Sequence, residues 1–338
     1  MGTERFFIVV IVFVVVGIYF AIFLALTAFI VFRGVNKGIE SSSKIMMPIL
    51  LVLVIGISIF SITLEHTDAS GVTRTGLEGL KVYLIPNLDG LTVGKFFGVL
   101  IDAMNQLFFS ISIAMGIMIT YGSYVKDDDN LGKSINRIEF FDTMVAVLAG
   151  MMIVPAVYTF MGTEGMGKGP SLMFVSLPKI FEAMGSAGNV IGCLFFAMVF
   201  FAALTSAVSV MEAVVSSIMD QFHISRTKAA IIETVVATIG GIFVCLGYNK
   251  LYFKITLPNG GSAQILDILD YVSNSIMMPL VALLTCILIG WVVKPKTVID
   301  EVEKNGETMS RKILYTVMIK VLSPIFMVVL LLGAFGIM

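Results

Sequence analysis

The chain has 338 residues, of which 58% are hydrophobic and only 13% are charged, and its mean hydropathy is +1.00. This charged share is about half that of a soluble domain, which excludes a water-soluble globular protein and a disordered chain. There are 22 Lys and Arg and 23 Asp and Glu, which gives a net charge of −1. The chain therefore lacks the excess of positive charge that binding to nucleic acid requires. The composition indicates a polytopic membrane protein whose surroundings are the lipid bilayer.

Eight apolar runs are long enough to cross the bilayer, since a helix needs about 20 apolar residues to span its hydrocarbon core. In chain order they are Phe6–Phe32, Ile45–Leu64, Phe96–Tyr124, Phe140–Met161, Val190–Ile218, Ala229–Gly247, Ile265–Val293 and Ile313–Met338. Their length and lack of polar–apolar alternation favour helices over barrel strands. The sequence thus predicts an all-α fold of about eight transmembrane helices, organised as one membrane domain over residues 1–338.

The basic residues predict how these helices are oriented. The loops at 33–44, 125–137, 219–228 and 294–312 together hold 13 Lys and Arg, against 8 in the segments on the other side. Because cytoplasmic loops carry the excess of basic residues, the first set is predicted to be cytoplasmic. Both termini of this chain are then predicted to lie outside.

Two of the outside loops are long. The loop at 65–95 is polar and contains turn-forming residues such as Pro86 and Asn87. In the 162–189 loop, residues 176–185 predict a short amphipathic helix, with Pro178 near its start and Gly185 after its end. Such a loop is either a lid over a site or an ordinary surface loop, and the sequence leaves both open.

Acidic residues lie inside or at the ends of several spans, where ionisable groups usually face a protein or water-filled interior. They are Asp102, Asp142, Glu212, Glu233, Asp267 and Asp270. Their sign favours a path for cations over one for anions. For Glu233 and Asp267 in particular, the alternative is a solvated position at the membrane interface.

Polar and small residues cluster in the middle of the third span, between Asn105 and Gly116. They predict a break in the helix near 110–116, which would free backbone groups to bind ions and a zwitterion. The alternative is close helix packing through the same small residues. In the fifth span, the hydroxyls of Thr205 and Ser206 with the Ala202 carbonyl predict a Na⁺ site, unless the hydroxyls only bond to the preceding turn.

Four segments together resemble the neurotransmitter:sodium symporter family, the LeuT-type sodium-dependent amino-acid carriers. They are the stretch from Arg33 to Pro48, Gln106-Leu107-Phe108-Phe109-Ser110-Ile111-Ser112, Ile119-Thr120-Tyr121-Gly122-Ser123-Tyr124 and Phe201-Ala202-Ala203-Leu204-Thr205-Ser206. The resemblance covers the family's fourth to eleventh helices and leaves the first three without a counterpart. It implies an inverted-repeat fold, truncated here. Residues 1–64 would then be the last two helices of the first repeat, 96–293 the complete second repeat, and 309–338 an extra C-terminal helix.

The resemblance also implies site residues. The substrate contacts are Gln106, Phe109, Ser112, Met115, Ser206 and Val210. The first sodium site has Ser110 and Asp142, and the second has Ala202, Thr205 and Ser206. The gates are Asp270 on the outer side and Asp220 with Tyr124 on the inner side. Ala146 stands where some members have a chloride-binding Ser, so chloride is not expected to be required.

The function implied is the coupled transport of Na⁺ and a small neutral amino acid across the cell membrane by alternating access, without an organic cofactor. Enzyme activity is not expected, because the sequence has neither a His-Glu metal motif nor a Gly-x-Ser-x-Gly elbow. The competing expectation is a truncated, transport-inactive remnant, or one part of a split carrier that needs a separate N-terminal segment of three helices.

Overall fold

The computed structural model describes residues 3–68, 71–88, 90–164, 172–248 and 250–337. Within these residues, seven helices are long and apolar enough to cross a membrane. They are Val15–Phe32, Val35–Ile62, Leu131–Met161, Ser186–Phe222, Arg226–Gly247, Ile265–Val292 and Lys312–Ala334. Each coincides with one of the predicted spans, and the eighth predicted span, the third in chain order, is divided into two helices.

The third span is broken where the sequence predicts a break. Helix α4 covers Val93–Ser110, helix α5 covers Ile117–Gly122, and residues 111–116 form turns. Ser112, Ala114 and Gly116 have positive φ angles of 56°, 62° and 79°, which end the right-handed helix. The break therefore rests on left-handed backbone at two non-glycine residues as well as at a glycine.

The long helices begin and end close to the predicted positions. They are α1 (Thr3–Phe32), α2 (Ser41–Ile62, after a π-helical turn at Val35–Glu40), α6 (Leu131–Met161), α8 (Ser186–Phe222) and α9 (Arg226–Gly247). The second and fourth spans begin about ten residues before the predicted apolar runs. A hydropathy criterion leaves out such first turns because their residues are helical but polar.

The last two spans are helices interrupted by π-helical turns. The seventh consists of α10 (Ile265–Asp270), a π turn (Tyr271–Met277), α11 (Met278–Ile287) and a second π turn (Leu288–Val292). The short helix α12 (Pro295–Glu303) follows, and the eighth span consists of α13 (Lys312–Val317), a π turn (Met318–Leu322) and α14 (Ser323–Ala334).

The loops contain more structure than their polarity suggests. Strands β1 (Glu65–Thr67) and β2 (Thr73–Thr75) form an antiparallel hairpin, which leads into α3 (Gly76–Leu84). A capping box starts α3, because the Thr75 hydroxyl accepts from the Glu78 N–H and the Glu78 carboxylate accepts from the Thr75 N–H. A second, shorter hairpin pairs β3 (Ile255–Thr256) with β4 (Ser262–Ala263).

The predicted amphipathic helix in the 162–189 loop is present. Helix α7 (Leu177–Ala183) follows a π turn at Leu172–Ser176, with Pro178 in its first turn and Gly185 in left-handed conformation just after it. Residues 165–171 of this loop lie outside the described part of the chain. Leu177, Ile180 and Phe181 are buried, so α7 packs its apolar face against the protein.

The chain divides into two compact units, and helix α8 contributes to both. The first unit is Met1–Gly34, Val93–Asn136 and Val208–Met338, and the second is Val35–Thr92 and Arg137–Ala207. In the first, α11 packs against α14 and α1 against α9. The core of the second is Val54, Ile57, Met152, Val157, Leu177, Ile180, Phe181, Phe195 and Met198. The single membrane domain and its repeat boundaries stay predictions.

Candidate functional site

A cavity of about 480 Å³ lies beside the helix break in the first unit. Asn105 and Phe109, one turn apart on α4, form one wall, and Asp270 and Asn274 form another. The Asp270 carboxylate accepts a hydrogen bond of 2.6 Å from the Asn274 amide. The structure thus brings the predicted outer-gate residue Asp270 and the predicted substrate contact Phe109 to the same cavity.

The chemistry of this cavity suits a small zwitterion. Asp270 supplies one carboxylate, Asn105, Asn274 and Ser275 supply neutral polar groups, and Ile101, Phe109, Met278 and Leu330 supply an apolar wall. A few oriented polar groups in a mainly apolar cavity are typical of small-molecule sites. Gln106, Ser112, Met115 and Val210 do not line this cavity in the described part of the chain.

The residues of the break follow directly after the C-terminal end of α4. Ser112 and Met115 are half-buried within the break, and the Ile113 N–H donates to the Phe108 carbonyl at 3.0 Å. Ser110 is the last residue of α4 and lies just before the first residue that departs from the helix. The predicted ligand of the first sodium site therefore stands where helical hydrogen bonding ends.

Ala202 and Thr205 are adjacent on one turn of α8, in the second unit. The Thr205 hydroxyl donates to the Ala202 carbonyl at 3.0 Å, so the bonding to the preceding turn that the sequence left open does occur. A hydroxyl that donates its proton in this way is still an acceptor through its oxygen, which is the atom that binds a cation. Two oxygens predicted to bind Na⁺ are therefore close together, with exposed Ser206 as the next residue.

Asp142 and Ala146 lie one helical turn apart on α6, also in the second unit. Residues at this spacing share a helix face. Asp142 is half-buried and Ala146 is exposed. A carboxylate and the position predicted to decide chloride binding are thus neighbours on one surface of α6.

A buried polar cluster joins α8, α9 and the segment after α5 in the first unit. Glu212 has none of its surface exposed, accepts a 2.6 Å hydrogen bond from the Tyr124 hydroxyl and pairs with Arg226. The Arg226 Nε also donates to the Val31 carbonyl at 3.1 Å. One turn before Glu212, the Ser209 and Tyr121 hydroxyls are 2.8 Å apart. The cluster ties one end of α8 to α1 and α9.

The structure connects Tyr124 to Glu212 and leaves Asp220 outside the cluster. Asp220 is exposed and has no ion pair with any described residue. The sequence marked Glu212 as an acidic residue inside a span but gave no reason to pair it with Arg226, 14 residues later in a loop predicted to be cytoplasmic. The signal that could have found the pair is that a buried carboxylate requires a nearby cation.

Comparison with known proteins gives a consistent set of similarities. A profile of the sodium:neurotransmitter symporter family, SNF, matches residues 8–337. An uncharacterized sodium-dependent transporter of Haemophilus influenzae is 33% identical over 293 residues, which are 85% of this chain and 58% of that protein. The uncharacterized sodium-dependent transporter YhdH of Bacillus subtilis is 31% identical over 319 residues, 94% of this chain and 66% of its own.

Among solved structures, the crystal structure of MhsT in complex with L-phenylalanine matches with a TM-score of 0.76 and 34% identity, over 93% of this chain and 67% of that one. This match supports the predicted all-α polytopic fold of LeuT type, and the broken third span agrees with it. The chain spans less than two thirds of the length of both curated relatives. The comparisons give no support to a truncated remnant or to a split carrier.

Proposed function

Because the chain belongs to the sodium:neurotransmitter symporter family, we propose that it takes part in coupled transport of Na⁺ and a small neutral amino acid by alternating access. Family membership places it among transporters and agrees with the prediction that it is not an enzyme. The chain is a multi-pass membrane protein. The substrate class, the ion sites and the inner and outer gates are parts of the proposal.

The observation that carries this proposal is the broken third span beside the cavity. A membrane helix rarely gives up its hydrogen bonds except where it lines a site, because an unpaired backbone group in lipid costs several kcal/mol. Here α4 ends at Ser110, and Phe109 and Asn105 line the cavity that Asp270 also lines. Broken helices of this kind form the substrate sites of secondary transporters near the membrane midplane.

An amino-acid ligand fits the charges of this site. Asp270 offers the ammonium group a carboxylate, and the backbone released by the break offers polar groups to the rest of the zwitterion. A neutral side chain would then face Phe109, Met278 and Leu330. L-Phenylalanine, the ligand in the MhsT structure, is the first probe to test.

Sodium coupling is proposed to use the oxygens on α8. The Ala202 carbonyl and the hydroxyls of Thr205 and Ser206 are oxygen ligands of the kind that alkali and alkaline-earth cations prefer. In proteoliposomes with an inward Na⁺ gradient, we expect uptake of L-phenylalanine or another neutral amino acid that stops when Na⁺ is replaced by K⁺. Uptake that is equal in both salts, or no Na⁺-dependent uptake for any neutral amino acid, would contradict the proposal.

The double change Thr205→Ala with Ser206→Ala should raise the Na⁺ concentration for half-maximal uptake at least tenfold, equivalent to about 1.4 kcal/mol. The matched control is Thr234→Ala with Thr238→Ala, which removes two hydroxyls that bond to the preceding turn of α9. The control should keep the Na⁺ dependence of the parent. An equal shift in both double variants would mean that the hydroxyls on α8 do not bind the ion.

Chloride independence is proposed to rest on Asp142. A fixed carboxylate beside a bound cation can supply the negative charge that other carriers take from chloride. We expect uptake by the parent to be the same in chloride and gluconate media, and Asp142→Asn to weaken the apparent Na⁺ affinity. Because Ala146 lies on the same face of α6, the pair Asp142→Asn and Ala146→Ser should restore uptake in chloride but not in gluconate. Loss of parent uptake in gluconate would overturn this assignment.

A further inference from the structure

A second cavity, of about 380 Å³, lies between the end of the seventh span and the first turns of the eighth, within the first unit. Three lysines line it, Lys294, Lys296 and Lys320, together with Trp291. It contains none of the residues assigned above to substrate, sodium or gates. The proposed transport sites therefore do not account for a cavity lined by three ammonium groups and an aromatic ring.

Close contact between two helices brings the third lysine into this cavity. A side chain at Gly290 would lie 3.1 Å from the Ile319 carbonyl oxygen and 3.5 Å from the Lys320 Cα, so the two backbones meet at this glycine. Lys320 lies inside the eighth predicted span, about 12 Å along the helix from Lys312 at 1.5 Å per residue. The contact at Gly290 sets this lysine beside the loop that carries the other two.

The three lysines differ from their neighbours in having no counter-charge. Lys304 lies 3.4 Å from the Asp127 carboxylate, and Lys312 lies 2.7 Å from Glu303 and holds the pKa of that carboxyl below its usual value. In the described part of the chain, no carboxylate comes within 4.0 Å of Lys294, Lys296 or Lys320, although α12 carries Asp300, Glu301 and Glu303. Three like charges around one cavity repel each other, and a bound anion would relieve that repulsion.

One side of the cavity is formed by the end of the seventh span, where a membrane-spanning helix reaches the lipid headgroups. The seventh span ends at Val292, and Trp291 is 64% exposed at that end, where tryptophan rings anchor helices in the interface. The helix Lys312–Ala334 has 23 residues and is about 34 Å long, slightly more than the hydrocarbon core, so its first turn reaches the interface. From the third turn, Lys320 can extend its ammonium group along the helix toward the interface.

We propose that this cavity binds the phosphate group of an anionic phospholipid. Lys294, Lys296 and Lys320 supply the positive charge, and the exposed Trp291 ring packs against the glycerol and upper acyl region of the same lipid. Basic pockets between transmembrane helices at the membrane surface have the charge and depth that such headgroups require. The site does not depend on the transport proposal, because it requires only that the two helices span the membrane.

Trp291 makes the test direct, since it is the single tryptophan of the chain. The full chain is reconstituted in vesicles in which a fraction of either phosphatidylglycerol or phosphatidylcholine carries brominated acyl chains that quench nearby tryptophan. We expect brominated phosphatidylglycerol to quench Trp291 with at least fivefold higher relative affinity than phosphatidylcholine. The triple variant Lys294→Gln, Lys296→Gln and Lys320→Gln should lower this preference to less than twofold.

Variants and competing ions decide the outcome. Replacing the same lysines with arginine should keep the preference, and the control variant Lys126→Gln, Lys133→Gln and Lys228→Gln, which removes three charges away from the cavity, should keep it as well. Equal quenching of the parent by both lipids would overturn the proposal, as would an equal loss in the control variant. Abolition of the preference by 10 mM inorganic phosphate would assign the site to free phosphate and overturn the lipid assignment. If the glutamine variant does not fold, loss of the parent's preference in 1 M NaCl supports the proposal and its persistence contradicts it.

Discussion

Glu212 is a fully buried carboxylate on α8, paired with Arg226 and hydrogen bonded to Tyr124. Burying a charge is unfavourable unless it is paired and its remaining lone pairs are satisfied. Arg226 and Tyr124 together meet that requirement, one on each carboxylate oxygen. The cluster therefore stabilises this arrangement of α1, α8 and α9 mainly because any state that separates its members leaves a charge unpaired.

We expect Arg226→Met to lower the free energy of unfolding by about 3 kcal/mol, because Glu212 would keep a buried charge without its partner. Adding Glu212→Gln should recover most of this loss, so the two changes are strongly non-additive. The free energy would be measured by denaturant unfolding in detergent. The control Lys44→Met breaks an exposed pair with Glu40 and should cost less than about 0.5 kcal/mol. Additive losses for Arg226 and Glu212 would show that the pair does not act as a unit.

At the scale of elements, the short helix α5 shows how the break in the third span is built. Its N-cap is Gly116, with φ at 79°, and its last residue is Gly122, whose backbone is helical. Space is available at both positions, since a Cβ at Gly116 would come no closer than 4.0 Å to Ala213 and one at Gly122 would meet nothing within 4 Å. The two glycines therefore differ in backbone conformation and not in crowding.

Substitution with alanine should destabilise the fold at Gly116 but not at Gly122. Gly116→Ala should destabilise the fold by about 1 kcal/mol or more, because a side chain at positive φ strains the backbone. Gly122→Ala should be neutral or stabilise it by up to about 1 kcal/mol, because alanine favours the helix. Thermal unfolding of both variants in the same detergent would measure this. A stabilising effect of Gly116→Ala would mean that residues 111–116 are not held in the left-handed turn.

The sequence predicts the long elements of this molecule well and the short ones poorly. Hydropathy identifies the spans because an apolar run of about 20 residues has few alternatives, and the polar cluster before Gly116 predicts the break. Helix α3 is not predicted from the sequence, because its nine residues are only weakly apolar and follow turn-forming residues. The signal that could have found its start is the capping-box spacing of Thr75 and Glu78, which the structure shows to be formed.

The candidate site, too, could be predicted from the sequence only in part, because its residues come from segments far apart in the chain. The sequence predicts Phe109 and Asp270 as site residues, and the structure adds Asn105 and Asn274 to the same cavity. Asn274 follows Asp270 by one helical turn, so the sequence could have predicted that the two side chains are neighbours. The lysine cavity could not be predicted in this way, because Gly290 and Lys320 are brought together by helix packing, which no local sequence pattern encodes.

At the scale of the whole molecule, the distribution of basic residues across the loops predicts the topology. The loops at 33–44, 125–137, 219–228 and 294–312 carry 13 Lys and Arg against 8 on the other side. Basic residues near the ends of spans resist transfer across the membrane during insertion, so the richer side stays in the cytoplasm. The structure gives each side an exposed position for labelling, Asp128 in the 125–137 loop and Thr256 in strand β3.

In a version of the chain without its three cysteines, we expect Asp128→Cys to react with a membrane-impermeant maleimide only after the cells are permeabilised. Thr256→Cys should react in intact cells, because β3 lies in the loop between the sixth and seventh spans on the opposite side. The paired design separates topology from reactivity, since both thiols should be labelled equally once the membrane is open. Labelling of Asp128→Cys in intact cells, with Thr256→Cys protected, would invert the assignment. The inversion would also place the lysine cavity at the outer surface, where the quenching experiment would still detect its preference for an anionic lipid.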